Sequence, residues 1–189
     1  GNWEKSENRR RMENDILQFA YKRNRMLSLS EVNDSILMWS HYADYHRGFC
    51  VGINTRKFLE FFDESQDLPN CGGRFFKVNY CMDYPKLIPQ KNINDVAFLN
   101  EMLTIKAEDW AYEREWRYIM TLPEALMSRM DCILSLPNGI ISEIILGCRM
   151  PQEDKDEIIR VVDGKSVKPR LFTAERSKDS FSLHIEELT

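Results

Sequence analysis

Short strand-like segments alternate irregularly with helix-like segments along this chain of 189 residues, and this order limits the available folds more than any other feature. Several strand-like segments are close neighbours in sequence, and no glycine-rich phosphate loop joins a strand to a helix. A doubly wound parallel sheet would require regular alternation of strands and helices. The order therefore predicts the α+β class, as a single domain over residues 1–189 with a mixed or antiparallel central sheet and flanking helices.

Strands are predicted where apolar, aromatic or β-branched residues cluster between turn residues. These segments are residues 26–30, 49–53, 74–80, 115–121, 140–146, 171–174 and 181–185. The last two segments flank ERSKDS and are predicted to form a hairpin. The sheet is thus expected to draw its strands from the whole length of the chain.

Helices are predicted where apolar residues recur at a spacing of three or four. The expected helices are residues 3–24, a segment that Asn33 or Asp34 caps and that ends at Arg47, a short helix capped by Thr55, residues 94–107, and a helix opened by Pro151. Gly48 is expected to stop the second of these helices.

The composition is that of a globular domain, with 43% hydrophobic residues and a net charge of −4 from 26 basic and 30 acidic side chains. A nucleic-acid-binding protein usually has a basic surface, so the charge argues against a nucleic-acid partner. No apolar run approaches the roughly 20 residues that span a bilayer, so no membrane association is predicted.

The five cysteines are widely spaced and include no C-x-x-C pair. A disulfide framework or a cysteine-rich zinc site would have a different spacing. We therefore expect reduced thiols in a cytoplasmic protein. Cys50 lies in the strand-like run GFCVGI, where a small core residue is more plausible than a nucleophile.

The first segment with unusual chemistry is MWSHYADYHR at residues 38–47. On a helix, His41 and Tyr45 would share a face, so His41 could donate to a ligand that Trp39 and Tyr45 enclose. In the alternative interpretation, the aromatic residues Trp39, Tyr42 and Tyr45 pack in the core and the histidines bond to backbone groups. On the residues alone, the alternative is the stronger of the two.

The second segment is KAEDWAYEREWRYIM at residues 106–120. Alternate residues of a strand share a side, which predicts a buried side with Trp116, Tyr118 and Met120. The opposite side would then hold Glu113, Glu115, Arg117 and Ile119. Such a charged side is either solvated or lines a cleft, because burying unpaired charges is costly.

Paired carboxylates in a cleft allow three kinds of chemistry. They can act as acid and base, they can bind ribose hydroxyls and stabilise an oxocarbenium-like transition state, or they can hold a divalent cation. Lys106, Trp110 and Tyr112 lie next to the carboxylates in sequence and are candidates for binding a ligand. Aromatic rings beside charges suit a cleft in which a planar ligand stacks.

The two segments resemble a bacterial family known as domain of unknown function 2971. The resemblance rests on Met-Trp-Ser-His-Tyr-Ala within residues 27–53, on VNY at 78–80, on K-x-x-x-WAYEREWR at 106–117 and on IILG at 144–147. Members of that family carry an upstream segment with Tyr-rich and Asn-Asp-Pro motifs that is not found here. The resemblance thus implies that the chain is the C-terminal portion of a longer family protein, or else a divergent or trimmed member.

The Glu-x-Glu pair is also similar, more loosely, to that of ADP-ribosyltransferase-like folds. In those enzymes the second glutamate contacts the nicotinamide ribose, which implies NAD as the substrate. The resemblance would make Glu115 the catalytic carboxylate and Glu113 its companion, with His41 and Tyr45 lining the nicotinamide pocket. His41 is predicted on a helix, whereas the corresponding residue of those enzymes lies on an early strand.

Three functions follow, in order of preference. The first is handling of a nucleotide, NAD in particular, by Glu113, Glu115, Arg117, Lys106 and His41 around one hollow. The second is a non-catalytic regulatory or interaction module in which Lys106 and Arg117 pair with the two glutamates. The third is a metal-dependent nuclease that would also need Asp109 and a basic groove. No resident cofactor and no metal ligand are assigned from the sequence.

Overall fold

The computed structural model describes residues 7, 8, 11, 14, 15, 18, 22, 24–64, 73–83, 101–122 and 135–188. Helices and strands combine in mixed and antiparallel sheets, which confirms the predicted α+β class. The chain separates into two compact units. The first unit is Gly1–Glu31 with Gln66–Cys132, and the second is Val32–Ser65 with Ile133–Thr189. That all of residues 1–189 form one domain stays a prediction.

The first unit contains two small sheets. One is antiparallel, in the order β1-β6-β3, and the other is a parallel pair, β4-β5. Their strands are β1 (Asn24–Ser30), β3 (Gly73–Lys77), β4 (Asn79–Cys81), β5 (Ile105–Ala107) and β6 (Glu115–Thr121). A 3₁₀ helix, Glu108–Glu113, connects β5 to β6. The central strand of the larger sheet is therefore the one that carries the predicted site.

Strand β6 lies between β1 and β3 in the sheet, and buried residues occur on both of its faces. Tyr118, Ile119 and Met120 are all buried, and Glu115 is only 5% exposed. A solvated charged side would have left Glu115 and Ile119 accessible. The side of β6 that begins with Glu115 is thus an interior side of the first unit.

Two predicted elements of the first unit have different limits in the structure. The strand expected at 74–80 is two strands, because the Val78 N–H donates to the Glu115 carbonyl (2.9 Å) while the Asn79 N–H donates to the Thr104 carbonyl (2.7 Å). The helix expected at 94–107 ends earlier, since residues 105–107 form β5 and only 101–103 are helical in the described part of that range.

The second unit contains one mixed sheet in the order β2-β7-β8-β9. Its strands are β2 (Phe49–Ile53), β7 (Ile141–Leu146), β8 (Arg170–Arg176) and β9 (Leu183–Glu187). Strands β8 and β9 pair antiparallel, which confirms the predicted hairpin. The parallel pairing of β7 with β8 requires a crossover, and a helix supplies it.

The second unit also holds the helices α1 (Ile36–Tyr42), α2 (Thr55–Glu64) and α3 (Gln152–Asp163). Helix α3 follows Pro151, as predicted, and leads from β7 to β8. The cap of α2 is Asn54, whose Oδ1 accepts from the Lys57 N–H (3.1 Å), so Thr55 is the first helical residue instead of the cap. Trp39, Ala43, Ile145, Ala174 and Leu183 form a core cluster of this unit.

Helix α1 is shorter than predicted at both ends. Its cap is Ser35, whose Oγ accepts from the Met38 N–H (3.4 Å), instead of Asn33 or Asp34. It ends at Tyr42, because residues 44–46 all have left-handed backbone angles, with φ of 44°, 53° and 71°. The Gly48 N–H then donates to the Ala43 carbonyl (2.8 Å) and closes the turn. Residues 43–47 therefore leave the helix axis.

At the N-terminus, the seven described positions between residues 7 and 22 are helical and exposed. The helix predicted over residues 3–24 must end before β1, which begins at Asn24. Its other positions lie outside the described residues. Where the structure describes the chain, no helix has the length and apolar composition needed to cross a bilayer.

A substitution at Gly147 tests the backbone packing of the second unit. A Cβ at this position would lie 2.2 Å from the His46 carbonyl oxygen and 2.6 Å from the Gly48 carbonyl oxygen, and backbone atoms cannot move aside cheaply. We expect Gly147→Ala to lower the free energy of unfolding by about 1–3 kcal/mol in urea denaturation. Gly164→Ala is the control, because its nearest neighbours are 3.7 Å away or more, and it should change stability by less than about 0.5 kcal/mol. Equal effects of the two substitutions would contradict the packing described here.

Candidate functional site

Four charged side chains of the first unit meet and form what we call the charge network: Lys106, Glu113, Glu115 and Arg117. Lys106 Nζ donates to Glu113 Oε2 and, at 2.9 Å, to Glu115 Oε2. Arg117 donates from Nε to Glu115 Oε1 (2.8 Å) and from Nη2 to Glu115 Oε2 (3.0 Å). Two cations thus neutralise two carboxylates, and Glu115 accepts hydrogen bonds from both cations.

Backbone geometry explains how two glutamates separated by one residue reach the same ammonium group. Glu113 is the last residue of the 3₁₀ helix, and Glu115 is the first residue of β6. Arg114 between them has left-handed angles (φ 46°, ψ 49°), which redirects the chain. The prediction that both glutamates lie on one strand is therefore wrong for Glu113. The carboxylates converge through a change of direction at Arg114 instead of through strand alternation.

Both glutamates are buried, so their charges must be paired with cations to offset the loss of water. The exposed fraction is 3% for Glu113 and 5% for Glu115. Further hydrogen bonds fix the surroundings, since Arg117 Nη1 donates to the Leu103 carbonyl and the Glu115 N–H donates to the Tyr80 hydroxyl (2.8 Å). Removing one member of a buried ion pair leaves the other charge desolvated and unpaired.

Within the charge network, Glu115 and Lys106 stay ionised at neutral pH. Burial by itself raises the pKa of Glu115, but hydrogen bonds from Arg117, Ser28 and Lys106 and the charge of Arg117 outweigh it and lower the pKa to about 2. For Lys106, burial lowers the pKa, and the hydrogen bonds and charges of Glu113 and Glu115 raise it above its ordinary value. Neither Glu115 nor Lys106 therefore exchanges its proton near pH 7.

An aromatic rim lies next to the charge network. Lys106 Nζ is 5.1 Å from the centre of the Trp110 indole, a cation–π distance. The rings of Trp110 and Tyr112 are 6.0 Å apart, and Trp110 is 38% exposed. The three predicted ligand-binding residues of this segment thus lie together, beside both glutamates.

The other predicted residues belong to the second unit. Trp39 is buried in the core, where its Nε1 donates to the Asn33 carbonyl (2.7 Å) and its ring stacks on His46. His41 and Tyr45 are both exposed, and Tyr45 follows the end of α1, so the prediction that they share a helix face is wrong. The core interpretation is correct for Trp39 and wrong for Tyr42 and Tyr45, which are 61% and 66% exposed.

The predicted hollow between His41 and the two glutamates would combine residues of different units. Glu113 and Glu115 belong to the first unit, and His41 belongs to the second. The shared hollow therefore stays a prediction. The charge network itself lies wholly within the first unit, so its geometry does not depend on the imidazole.

Two partners of Glu115 were missed in the sequence, namely Ser28 and Tyr80. The register of β1 against β6 places Ser28 opposite Arg117, beside the carboxylate. Tyr80 lies on β4, which pairs with the strand that carries Lys106. Ser28 lies in the motif LSLS and Tyr80 in the motif VNY, but neither motif indicates a contact with Glu115. Only the pairing of the strands brings these two residues close to Glu115.

Metal and thiol chemistry find less support in the described residues. No group of three or more His, Cys, Asp or Glu side chains in the described ranges is arranged to hold a metal ion. Cys50 packs against the core cluster of the second unit, as predicted. Burial, with a contribution from Glu143, raises the pKa of its thiol, which disfavours the thiolate that a nucleophile needs.

One family model matches the chain, over residues 38–118, and its description is "Protein of unknown function (DUF2971)". The match includes the Met-Trp-Ser-His-Tyr-Ala motif and the complete charge network. No curated protein and no solved structure gives a significant match. The comparison thus confirms the resemblance noted in the sequence and assigns no activity.

The burial of Glu115 leads to a prediction about stability. Glu115→Gln removes the negative charge but leaves Lys106 and Arg117 in place, so we expect a loss of about 3–5 kcal/mol in the free energy of unfolding, measured in urea. The matched control is Glu60→Gln, which removes an exposed carboxylate paired with Arg56 at 3.0 Å. That control should lose less than about 1 kcal/mol. A loss in Glu115→Gln no larger than that of the control would contradict the network.

The pKa of Glu115 leads to a prediction about pH. Because the pKa is about 2 in the folded protein and 4.5 without its partners, acidification protonates the unfolded state first. The contribution of Glu115 to stability is therefore complete above about pH 5 and is lost as the pH falls towards 2. Thermal unfolding between pH 7 and pH 3 should show a steeper fall in Tm for the wild-type chain than for Glu115→Gln. If the Tm of the two chains fell in parallel with pH, the lowered pKa of Glu115 would be contradicted.

Proposed function

We propose that this chain, whose residues 38–118 match the model of the DUF2971 family, is a non-catalytic interaction module. In this proposal the charge network is structural, and it holds the junction of the 3₁₀ helix and β6 in one arrangement. The observation that carries the proposal is that Lys106 and Arg117 bind Glu115 through both of its carboxylate oxygens while Glu115 is buried.

Catalytic use of the glutamates would require properties that the charge network lacks. A general acid or base works best with a pKa near the operating pH, whereas the pKa of Glu115 is about 2. A cation ligand needs free oxygen lone pairs, and a metal at Glu115 would have to displace Lys106 or Arg117. These requirements place the metal-dependent nuclease last among the three functions.

The aromatic rim supports the idea of an interaction surface. Trp110 is partly exposed, and its ring is held between the ammonium group of Lys106 and the ring of Tyr112. Tryptophan and tyrosine are enriched in protein interfaces because they bury a large area at a small cost in conformational entropy. In the proposal, the charge network keeps this rim rigid, so that the rim loses little freedom when a partner binds.

Nucleotide handling is the second candidate, and one observation favours it. An exposed indole next to an ammonium group can stack a base and attract a phosphate. ADP-ribosyltransferase-like chemistry on NAD would then use Glu115 as the catalytic carboxylate and Glu113 as its companion. For Glu115 to bind a ribose hydroxyl, however, Lys106 or Arg117 would have to release one of its oxygens.

Release of nicotinamide from NAD separates the two candidates. We expect the wild-type chain to release no nicotinamide above the buffer rate, and we expect NAD not to raise its Tm. Trp110→Ala should keep the Tm within a few degrees of the wild-type value, because the indole is partly exposed and its cation–π contact with Lys106 is weaker than a buried ion pair. Glu115→Gln should lower the Tm much more than Trp110→Ala does. This difference is expected if the charge network is structural and the aromatic rim is not part of the core.

Nicotinamide release by the wild-type chain that disappears in Glu115→Gln, measured at a temperature where both chains are folded, would overturn the proposal in favour of the second candidate. Glu60→Gln serves again as the matched control and should behave like the wild-type chain in every assay. A loss of Tm in Trp110→Ala as large as that in Glu115→Gln would also contradict the proposal, since the rim would then be part of the core.

A further inference from the structure

The second unit contains a cavity of about 610 Å³ that the chemistry above does not use. It lies between the end of the β8–β9 hairpin, Ile36 of α1 and the ring of His46. This volume falls within the range of pockets that bind small organic molecules. The cavity is formed entirely by residues of the second unit.

One side of the cavity is cationic. Arg176 and Lys178 line it, and Asp179 offsets one of their two charges. Among the described residues, no carboxylate forms an ion pair with Arg176 or Lys178, whereas Arg117 and Arg170 of the same chain are both paired. An anion in the cavity would supply the missing countercharge, and an arginine beside a lysine is a common arrangement for carboxylate and phosphate groups.

Hydroxyl groups add hydrogen-bonding capacity at the same place. Ser177, Ser180 and Ser182 line the cavity, and their hydroxyls are connected, with Ser180 Oγ 2.9 Å from Ser177 Oγ and 2.7 Å from Ser182 Oγ. Ser177 Oγ also accepts from the backbone N–H groups of Asp179 and Ser180, each at 3.2 Å, which shapes the hairpin loop. The loop is thus ordered by its own hydrogen bonds and presents cations and hydroxyls together.

Three apolar side chains also line the cavity. Ile36, Phe181 and Leu183 line it, and Phe181 is fully exposed. A free inorganic anion would leave these side chains in contact with water, whereas a ligand with an apolar body would cover them. The lining of the cavity therefore combines anion-attracting groups with apolar side chains.

His46 also lines the cavity, and its imidazole stays uncharged. Its ring stacks on Trp39 at a centroid distance of 6.4 Å, and its Nε2 lies 3.0 Å from Ser40 Oγ. Burial first, and then the charges of Arg176 and Arg149, lower the pKa of this imidazole. The positive potential beside His46 thus comes from Arg176 and Arg149, which have no partner carboxylate among the described residues.

We propose that this cavity binds a small organic anion in which a phosphate or carboxylate group is joined to an apolar or aromatic body. Arg176 and Lys178 bind the anionic group, and Ile36 and Phe181 contact the body. The proposal concerns the second unit alone and does not depend on the function proposed for the charge network.

The test uses isothermal titration of the full chain with phenyl phosphate, benzoate, inorganic phosphate and phenol at one ionic strength. We expect phenyl phosphate or benzoate to bind at least about tenfold more tightly than inorganic phosphate or phenol, because only they combine an anionic group with an apolar body. Arg176→Gln/Lys178→Gln should weaken that binding at least about tenfold. Both substituted residues are exposed, so the fold is expected to persist, and circular dichroism checks it.

The matched control is Arg56→Gln/Lys155→Gln, which removes the same charge from residues that do not line the cavity. Its affinity should equal that of the wild-type chain, and the imidazole signals of His46 should move in the nuclear magnetic resonance spectrum when phenyl phosphate or benzoate is added. No binding of either aromatic anion would overturn the proposal. Equal losses in the two double variants, or equal affinity for inorganic phosphate, would overturn it as well, since only general charge attraction would remain.

Discussion

The first unit is organised around two carboxylates that are removed from water and must be neutralised. Glu113 and Glu115 are 3% and 5% exposed, and the cost of burying each charge is several kcal/mol unless cations and hydrogen bonds compensate it. Lys106 on β5 and Arg117 on β6 provide this compensation. The ion pair between Lys106 on β5 and Glu115 on β6 connects the parallel β4-β5 pair to the larger sheet. Breaking this ion pair would leave charges unpaired in the interior.

This compensation also determines what chemistry the site supports. Because Glu115 and Lys106 stay ionised at pH 7, the charge network is better suited to fixing a geometry than to moving protons. The geometry it fixes includes the exposed indole of Trp110 above Lys106. A partly exposed aromatic rim beside a buried network is compatible with an interaction module. Because such a rim can also stack a base, nucleotide binding is the next candidate. The cavity of the second unit has the opposite character, with cations that lack partner carboxylates in the described part of the chain.

Sequence patterns predicted the α+β class, strand β6 and the terminal hairpin because hydrophobic periodicity and turn residues act locally. They also identified Lys106, Glu113, Glu115 and Arg117 as one group. The left-handed angles of Arg114 and of residues 44–46 were not predictable, since no glycine stands at these positions to signal them. The break at Val78 and the contacts of Ser28 and Tyr80 depend on which strands pair, which is information that a single sequence does not carry.

The central claim is that Glu115 is an ionised carboxylate held by Arg117 and Lys106 inside the first unit. Carbon-13 nuclear magnetic resonance of the labelled glutamate carboxyl groups, followed from pH 7 to pH 2 and assigned with Glu115→Gln, measures this most directly. The account predicts that the Glu115 signal shows a pKa of about 2. A pKa close to the ordinary value of 4.5 would mean that Glu115 is neither buried nor paired as described, and it would contradict the account.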